Sequence, residues 1–143
     1  MNTIQPKIAI ILFLILATIN TGCKKDEEAV PNVQVNLVIS TTDVAFNDLN
    51  AVGGWIYLIG GSRGIVIYRF SMDEFMAYDR HCTYEPKETC GIVAVDQSGV
   101  IAEDNCCGSQ FILTDGSVAG GPATIPLKRY QTSFDGNLLH VFN

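Results

Sequence analysis

Short apolar segments alternate with glycine, aspartate and asparagine along most of the chain. The segments that begin at Val33, Trp55 and Ile65 are rich in β-branched and aromatic residues, which pack well on a pleated sheet. Glycines at positions 60, 61 and 64 separate the last two segments and predict a hairpin with a short loop. The predicted strands are residues 33–39, 55–59, 65–70, 74–78, 92–96, 100–103, 110–113, 129–134 and 138–142.

Turn signals between these segments favour antiparallel pairing. Residues 96–99 (Asp-Gln-Ser-Gly) and 135–137 (Asp-Gly-Asn) contain residues that accept positive φ. Only residues 42–49 have helical character, enough for about one turn. Many short strands with closely spaced turns predict an all-β domain, built as an antiparallel β-sandwich or small barrel.

The N-terminus has the pattern of a secretory signal. Lys7 precedes an apolar run over residues 8–19, and Gly22-Cys23 follows. The run is shorter than the roughly 20 residues that a transmembrane helix needs. We predict a lipoprotein signal peptide over residues 1–22, with Cys23 as the lipidated first residue; the alternative is a conventional signal followed by an ordinary cysteine. Residues 23–32 then form an acidic tether, and residues 33–143 form one domain.

Charge and anchor together predict the location of the protein. Removal of the leader takes away Lys7 and changes the formal net charge from −6 to −7, which argues against nucleic-acid binding. The lipid would be the membrane contact. Residues 24–28 (Lys-Lys-Asp-Glu-Glu) resemble the acidic tags of some Gram-negative surface lipoproteins, although a plain solvated tether has the same composition. We therefore predict an outer-membrane lipoprotein of the bacterial cell envelope, on the periplasmic face or the cell surface.

Four cysteines remain in the predicted domain: Cys82, Cys90, Cys106 and Cys107. In a secreted chain an even number of cysteines indicates disulfides, here with three possible connectivities. Cysteine-bearing loops that lie between strands are also typical of metal sites. Counting alone does not choose between the two.

The order of motifs around these cysteines resembles that of Rieske iron–sulfur domains. Residues 77–84 (Ala-Tyr-Asp-Arg-His-Cys-Thr-Tyr) are similar to a first Cys-x-His box, and residues 104–109 (Asp-Asn-Cys-Cys-Gly-Ser) to a second Cys-Pro-x-His-Gly-Ser box. Phe111, the loop at residues 121–123 (Gly-Pro-Ala) and residues 126–127 (Pro-Leu) continue the match. The resemblance is greatest to Rieske-like bacterial lipoproteins and implies a Rieske-like fold, with two cysteine-bearing loops at one end.

The residues at the ligand positions differ from those of the family. The resemblance places Cys82 and Tyr84 in the first box, and Asp104 and Cys107 in the second. A Rieske [2Fe–2S] cluster uses two thiolates on one iron and two imidazoles on the other, so only Cys82 is of the expected type. A phenol with a pKa near 10 is a reluctant ligand. Asp104 offers hard oxygen where a soft thiolate is preferred.

The resemblance also implies pairings for the cysteines. Cys106 occupies the position from which many Rieske proteins form a disulfide between the two cluster loops, and Cys90 is its available partner. Cys82 and Cys107 would then form a second disulfide in place of the cluster. The alternatives are a strained Cys106–Cys107 bond, free thiols, or a zinc site of Cys82, Cys90, Asp104 and one of the Cys106/Cys107 pair, here Cys107.

These considerations favour a structural or binding module in an envelope assembly, without normal cluster ligation and without enzymatic activity. We expect no resident cofactor on this interpretation. The alternatives are a [2Fe–2S] electron-transfer protein, for which a register shift would have to recruit His81, and a zinc-binding or thiol–disulfide redox module. His140, in the last predicted strand, is expected to be an ordinary strand residue.

Overall fold

Two antiparallel sheets make up the part of the chain that the structure describes. The computed structural model describes residues 30–143. The predicted signal peptide, the lipidation site at Cys23 and most of the predicted tether lie outside this range. The strands are β1 (Asn36–Ser40), β2 (Trp55–Leu58), β3 (Ile65–Arg69), β4 (Phe75–Asp79), β5 (Val93–Val95), β6 (Ile101–Asp104), β7 (Gln110–Ile112), β8 (Val118–Gly120), β9 (Arg129–Phe134) and β10 (Leu138–Phe142).

The two sheets differ in size and in how the chain builds them. The larger sheet has the order β1-β10-β9-β4-β3-β2, and the smaller has the order β5-β6-β7-β8. In sequence, the whole smaller sheet lies between β4 and β9. These two strands nevertheless pair directly, with Ala77 opposite Tyr130 and Tyr78 opposite Arg129. The smaller sheet is therefore an insertion between two neighbouring strands of the larger one.

Every predicted strand is present, which confirms the all-β antiparallel prediction. The glycine-bearing loop at residues 60–64 joins β2 and β3 as the predicted hairpin, and the two predicted turns join β5 to β6 and β9 to β10. The predicted helical turn is a 3₁₀ segment at Val44–Asn50. Strand β8 was not predicted, because its sequence Val-Ala-Gly has little β-propensity. It is a strand because its backbone pairs with β7.

Strand β3 is buried along its entire length because it contributes to two cores. Ile65 and Ile67 point into a core that is formed mainly by residues of the larger sheet, among them Phe75, Leu139 and Val141. The alternate residues of β3 point to the opposite face, since neighbouring strand residues face opposite sides. This second core lies between the two sheets and includes Val66, Tyr68, Tyr78, Val93, Phe111, Leu113 and Leu127.

Within residues 30–143, no helix has the length and apolar character that a membrane span requires.

Candidate functional site

Three loops meet beside the core between the sheets. The first cysteine loop (residues 80–92) follows β4, and the second (residues 105–109) joins β6 to β7. The proline loop (residues 121–128) joins β8 to β9 and contacts both. Its Ala123 N–H donates to Ser109 Oγ at 3.1 Å, and its Ile125 carbonyl accepts from Thr83 Oγ1 at 2.6 Å.

Gly121 allows the proline loop to lie against the second cysteine loop. Its φ is +82°, which favours glycine. A Cβ atom at this position would lie 2.4 Å from the Gly108 carbonyl oxygen. No other residue fits here without displacement of one of the two loops.

A disulfide between Cys90 and Cys106 joins the two cysteine loops. The Sγ atoms are 2.02 Å apart and the Cα atoms 5.8 Å apart. This bond is present as the resemblance implied. Because Cys90 is used in the disulfide, it is not available as a ligand for the alternative zinc site.

The remaining two cysteines and an aspartate form what we call the cysteine pocket: Cys82, Asp104 and Cys107. One donor atom from each lies within 4.8 Å of the others. Cys82 and Asp104 are almost completely buried, at 0% and 1% exposure, and Cys107 is half-buried. The pocket thus brings together three of the four residues at the ligand positions.

Cys82 and Cys107 are free thiols in the structure, in contrast to the predicted second disulfide. Their sulfur atoms are 3.8 Å apart, well beyond the roughly 2.0 Å of an S–S bond. The Cys107 sulfur instead lies 3.4 Å from Asp104 Oδ2 and 3.0 Å from Ser109 Oγ, so that its single S–H proton has two acceptors within reach. The two sulfurs nevertheless face each other, as the family positions implied.

Burial governs the electrostatics of the pocket. It raises the pKa of the Cys82 thiol well above its ordinary value, and the hydrogen bond and negative charge of Asp104 raise it further. A backbone hydrogen bond from Tyr84 opposes this shift. Cys82 is consequently a neutral thiol unless a positive charge enters the pocket.

The side chains of Tyr84 and of the two histidines make contacts outside the group of Cys82, Asp104 and Cys107. The Tyr84 side chain packs, partly buried, against the core between the sheets. His140 lies in β10, where its Nε2 atom is 2.7 Å from Asn36 Oδ1. His81 is buried, with Nε2 at 2.7 Å from the Pro86 carbonyl and Nδ1 at 2.8 Å from Ser62 Oγ.

The contacts of His81 determine its tautomer. A carbonyl only accepts, so Nε2 carries the proton and Nδ1 accepts from the Ser62 hydroxyl. Both nitrogens are therefore occupied away from the pocket. Burial lowers the pKa of His81, and the charge of Arg63 lowers it further against the opposing hydrogen bond to Pro86.

The lowered pKa of His81 predicts a pH-dependent stability. The unfolded chain takes up a proton at His81 below its ordinary pKa of 6.5, whereas the folded chain resists it. The stabilisation is thus complete above pH 6.5 and is lost as pH falls through the lower folded-state pKa. Urea unfolding should be measured from about pH 7.5 to about pH 5, a range that spans the ordinary histidine pKa. The free energy of unfolding should fall less steeply with decreasing pH in His81→Gln than in the wild type. Identical slopes for the two proteins would contradict this assignment.

Sequence reasoning did not identify the buried carboxylate of Asp79 in the same region. It lies at the end of β4 and accepts from the backbone N–H groups of Ser62, Arg63 and His81 and from the Tyr130 hydroxyl. The available signal was an acidic residue that ends an apolar strand immediately before a cysteine loop. Asp79 thereby links the β2–β3 hairpin to the first cysteine loop.

No protein-family model and no curated protein sequence matches the chain. Among solved structures, it is similar to the cyanobacterial plasma membrane Rieske protein PetC3 from Synechocystis PCC 6803, with a TM-score of 0.55 and 24% sequence identity, over 73% of this chain and 99% of that chain. It is also similar to the E. coli protein NirD, with a TM-score of 0.45 and 14% identity, over 76% of this chain and 98% of that chain. The chain has a Rieske-like fold, with two antiparallel sheets and cysteines in its loops.

Proposed function

We propose that the protein is a lipid-anchored module of the bacterial envelope that uses a Rieske-like fold without a [2Fe–2S] cluster. The observation that carries this proposal is the donor set of the cysteine pocket, which has two sulfurs and a carboxylate but no imidazole. A Rieske cluster needs two neutral imidazoles on one of its irons. The chain has two histidines, and the hydrogen bonds of both lie elsewhere.

The arrangement of the donors also disagrees with a cluster. One donor atom from each of Cys82, Asp104 and Cys107 lies within 4.8 Å of the others, so the three form a single group. A two-iron cluster instead requires a separate pair of ligands for each iron. The carboxylate of Asp104 is in addition a hard donor, which is poorly matched to iron–sulfur chemistry. The residues present do not fit the cluster that the fold family implies.

The loop framework around the pocket supports a structural or binding role. The disulfide, the proline loop and the contacts of Ser109 keep the loops closed. A lipid at Cys23 would place this module at the outer membrane, facing the periplasm or the cell surface. The acidic chain, with a formal net charge of −6, favours an envelope protein assembly over nucleic acid as its partner.

Iron and acid-labile sulfide content test the proposal. The full-length protein, purified without oxygen in detergent from its own membranes, is expected to contain neither and to lack visible absorption. Variant Tyr84→His/Asp104→Cys/Cys107→His restores the family ligand types at these positions and is expected to gain cluster absorption. In the same cells, Cys23→Ser protein should leave the membrane fraction if the lipid is the anchor.

The restored variant is the control for cluster insertion in these cells. Stoichiometric iron and sulfide in the wild-type protein would overturn the proposal and would favour the electron-transfer alternative. Retention of Cys23→Ser protein in the membrane would overturn the anchor alone.

A further inference from the structure

We infer that Cys82, Asp104 and Cys107 bind one divalent metal ion of borderline softness, such as Zn²⁺, in a tetrahedral site with one open position. This inference rests on the proposed function, because a pocket that held a binuclear cluster would not bind a single ion. It replaces the sequence-based zinc site, since Cys90 belongs to the disulfide.

The distances in the pocket match those around one tetrahedral ion. An ion that holds two thiolates at about 2.3 Å places their sulfurs about 3.8 Å apart. The Cys82 and Cys107 sulfurs are 3.8 Å apart. A carboxylate oxygen on the same ion would lie about 3.6 Å from each sulfur, and Asp104 Oδ2 is 3.4 Å from Cys107 Sγ. Two of the three donor distances therefore match one tetrahedral ion, and the third lies within 4.8 Å.

The charge of the pocket favours a cation. Asp104 is 1% exposed, and burial of a carboxylate is costly unless it is compensated. Its side chain accepts from the Cys106 N–H and lies against the Cys82 and Cys107 thiols. A divalent ion would compensate the carboxylate and would displace the thiol protons.

The donor set limits which ion is suitable. Two thiolates select zinc and other ions that accept sulfur over the hard ions Mg²⁺ and Ca²⁺. Three protein ligands leave a tetrahedral ion with one position for water. Cys107 is half-buried whereas the other two residues are buried, so the open position lies on the Cys107 side, towards solvent.

Neighbouring groups hold the ligands in place. The Cys106 N–H donates to Asp104 Oδ1 at 2.8 Å, which leaves Oδ2 directed at Cys107. Ser109 Oγ is 3.0 Å from Cys107 Sγ and can donate its proton to that sulfur once the sulfur is a thiolate. The Tyr84 backbone hydrogen bond to Cys82 favours its thiolate in the same way. Such outer contacts are typical of metal sites.

Native mass spectrometry and zinc titration test the inference. The full-length protein is purified in detergent without oxygen and without reductant, so that the disulfide remains intact and the two thiols remain reduced. We expect one zinc per chain, with a mass increase equal to zinc less two protons. Cys107→Ser should weaken zinc binding by about a hundredfold or more, since loss of an outer contact alone costs about 10- to 100-fold. Asp104→Asn should weaken it by about tenfold or more.

Cobalt provides a readout that does not depend on stability. Co²⁺ in the wild-type pocket should give thiolate-to-cobalt charge-transfer absorption. Cys107→Ser, shown to be folded by circular dichroism and saturated with Co²⁺, should give about half of it because one of the two thiolates is lost. Asp135→Asn, in the β9–β10 turn outside the pocket, is the matched control for Asp104→Asn and should bind zinc as the wild type does.

Three outcomes would overturn the inference: no bound zinc or cobalt in the reduced protein, equal affinity in Cys107→Ser, or an oxidised Cys82–Cys107 pair in the anaerobic preparation. The last would favour the disulfide-redox alternative. A protein with neither iron nor zinc overturns only this inference. Stoichiometric iron and sulfide would overturn the proposed function as well.

Discussion

Replacement of Asp79 by alanine is expected to lower the free energy of unfolding by about 4 kcal/mol, because four hydrogen-bond donors lose their acceptor in a buried site. Asp79 is 0% exposed. Its Oδ2 accepts from Ser62 N at 2.6 Å and Tyr130 Oη at 2.7 Å, and its Oδ1 accepts from His81 N at 2.9 Å and Arg63 N at 3.2 Å. Urea unfolding at pH 7 of the wild type and the variant measures the difference.

Tyr130→Phe is the matched control, because it removes only the hydroxyl donor. Burial raises the pKa of Tyr130, and the hydrogen bond to Asp79 raises it further, so this hydroxyl stays protonated and donates. The control should lose about 1 kcal/mol. A loss below about 1 kcal/mol for Asp79→Ala would show that water replaces the carboxylate and that the site is less buried than described.

Removal of the Cys90–Cys106 disulfide is expected to lower the free energy of unfolding by about 3 kcal/mol, as the chain-entropy relation gives for a loop of about this length. The two cysteines are 16 residues apart in sequence. The double variant Cys90→Ser/Cys106→Ser avoids an unpaired thiol. Denaturant unfolding without reductant measures the loss.

The disulfide variant should also alter the cysteine pocket. Cys106 is adjacent to Cys107, and its N–H donates to Asp104, so release of the second cysteine loop should expose the Cys107 thiol. We expect faster alkylation of Cys107 in folded protein. Wild-type protein whose disulfide has been reduced is the control and should reproduce both effects. Unchanged stability with unchanged alkylation would show that the three loops hold the pocket without the covalent link.

The sequence predicts the strands well because packing on a sheet leaves a local signature. Ile65 to Arg69 is an unbroken run of β-branched, aromatic and long side chains, and this strand contributes to both cores. Strand β8 has no such signature, because its pairing depends on β7 and not on its own side chains. Local propensity therefore could not reveal it.

The pocket was predictable only in part. The family resemblance placed Cys82, Asp104 and Cys107 at neighbouring ligand positions. Whether the two cysteines are thiols or a disulfide depends on the distance between their sulfur atoms, which the spacing of residues in the sequence does not give. The Cys90–Cys106 disulfide is present as the resemblance implied, and the alternative zinc site that used Cys90 therefore loses that ligand. The roles of Asp79 and Ser62 depend on contacts between segments 16 or more residues apart, which no local pattern records.

Because β4 pairs directly with β9, the segment between them is an insertion that the larger sheet does not need for its strand pairing. All three pocket residues and both disulfide cysteines lie between these strands, from Cys82 to Cys107. The strand pairing of the larger sheet does not include this segment. Substitutions of the pocket residues in this inserted segment thus leave the backbone hydrogen bonds between the strands of the larger sheet in place. The residues of the loops can therefore change while the larger sheet keeps its strand pairing.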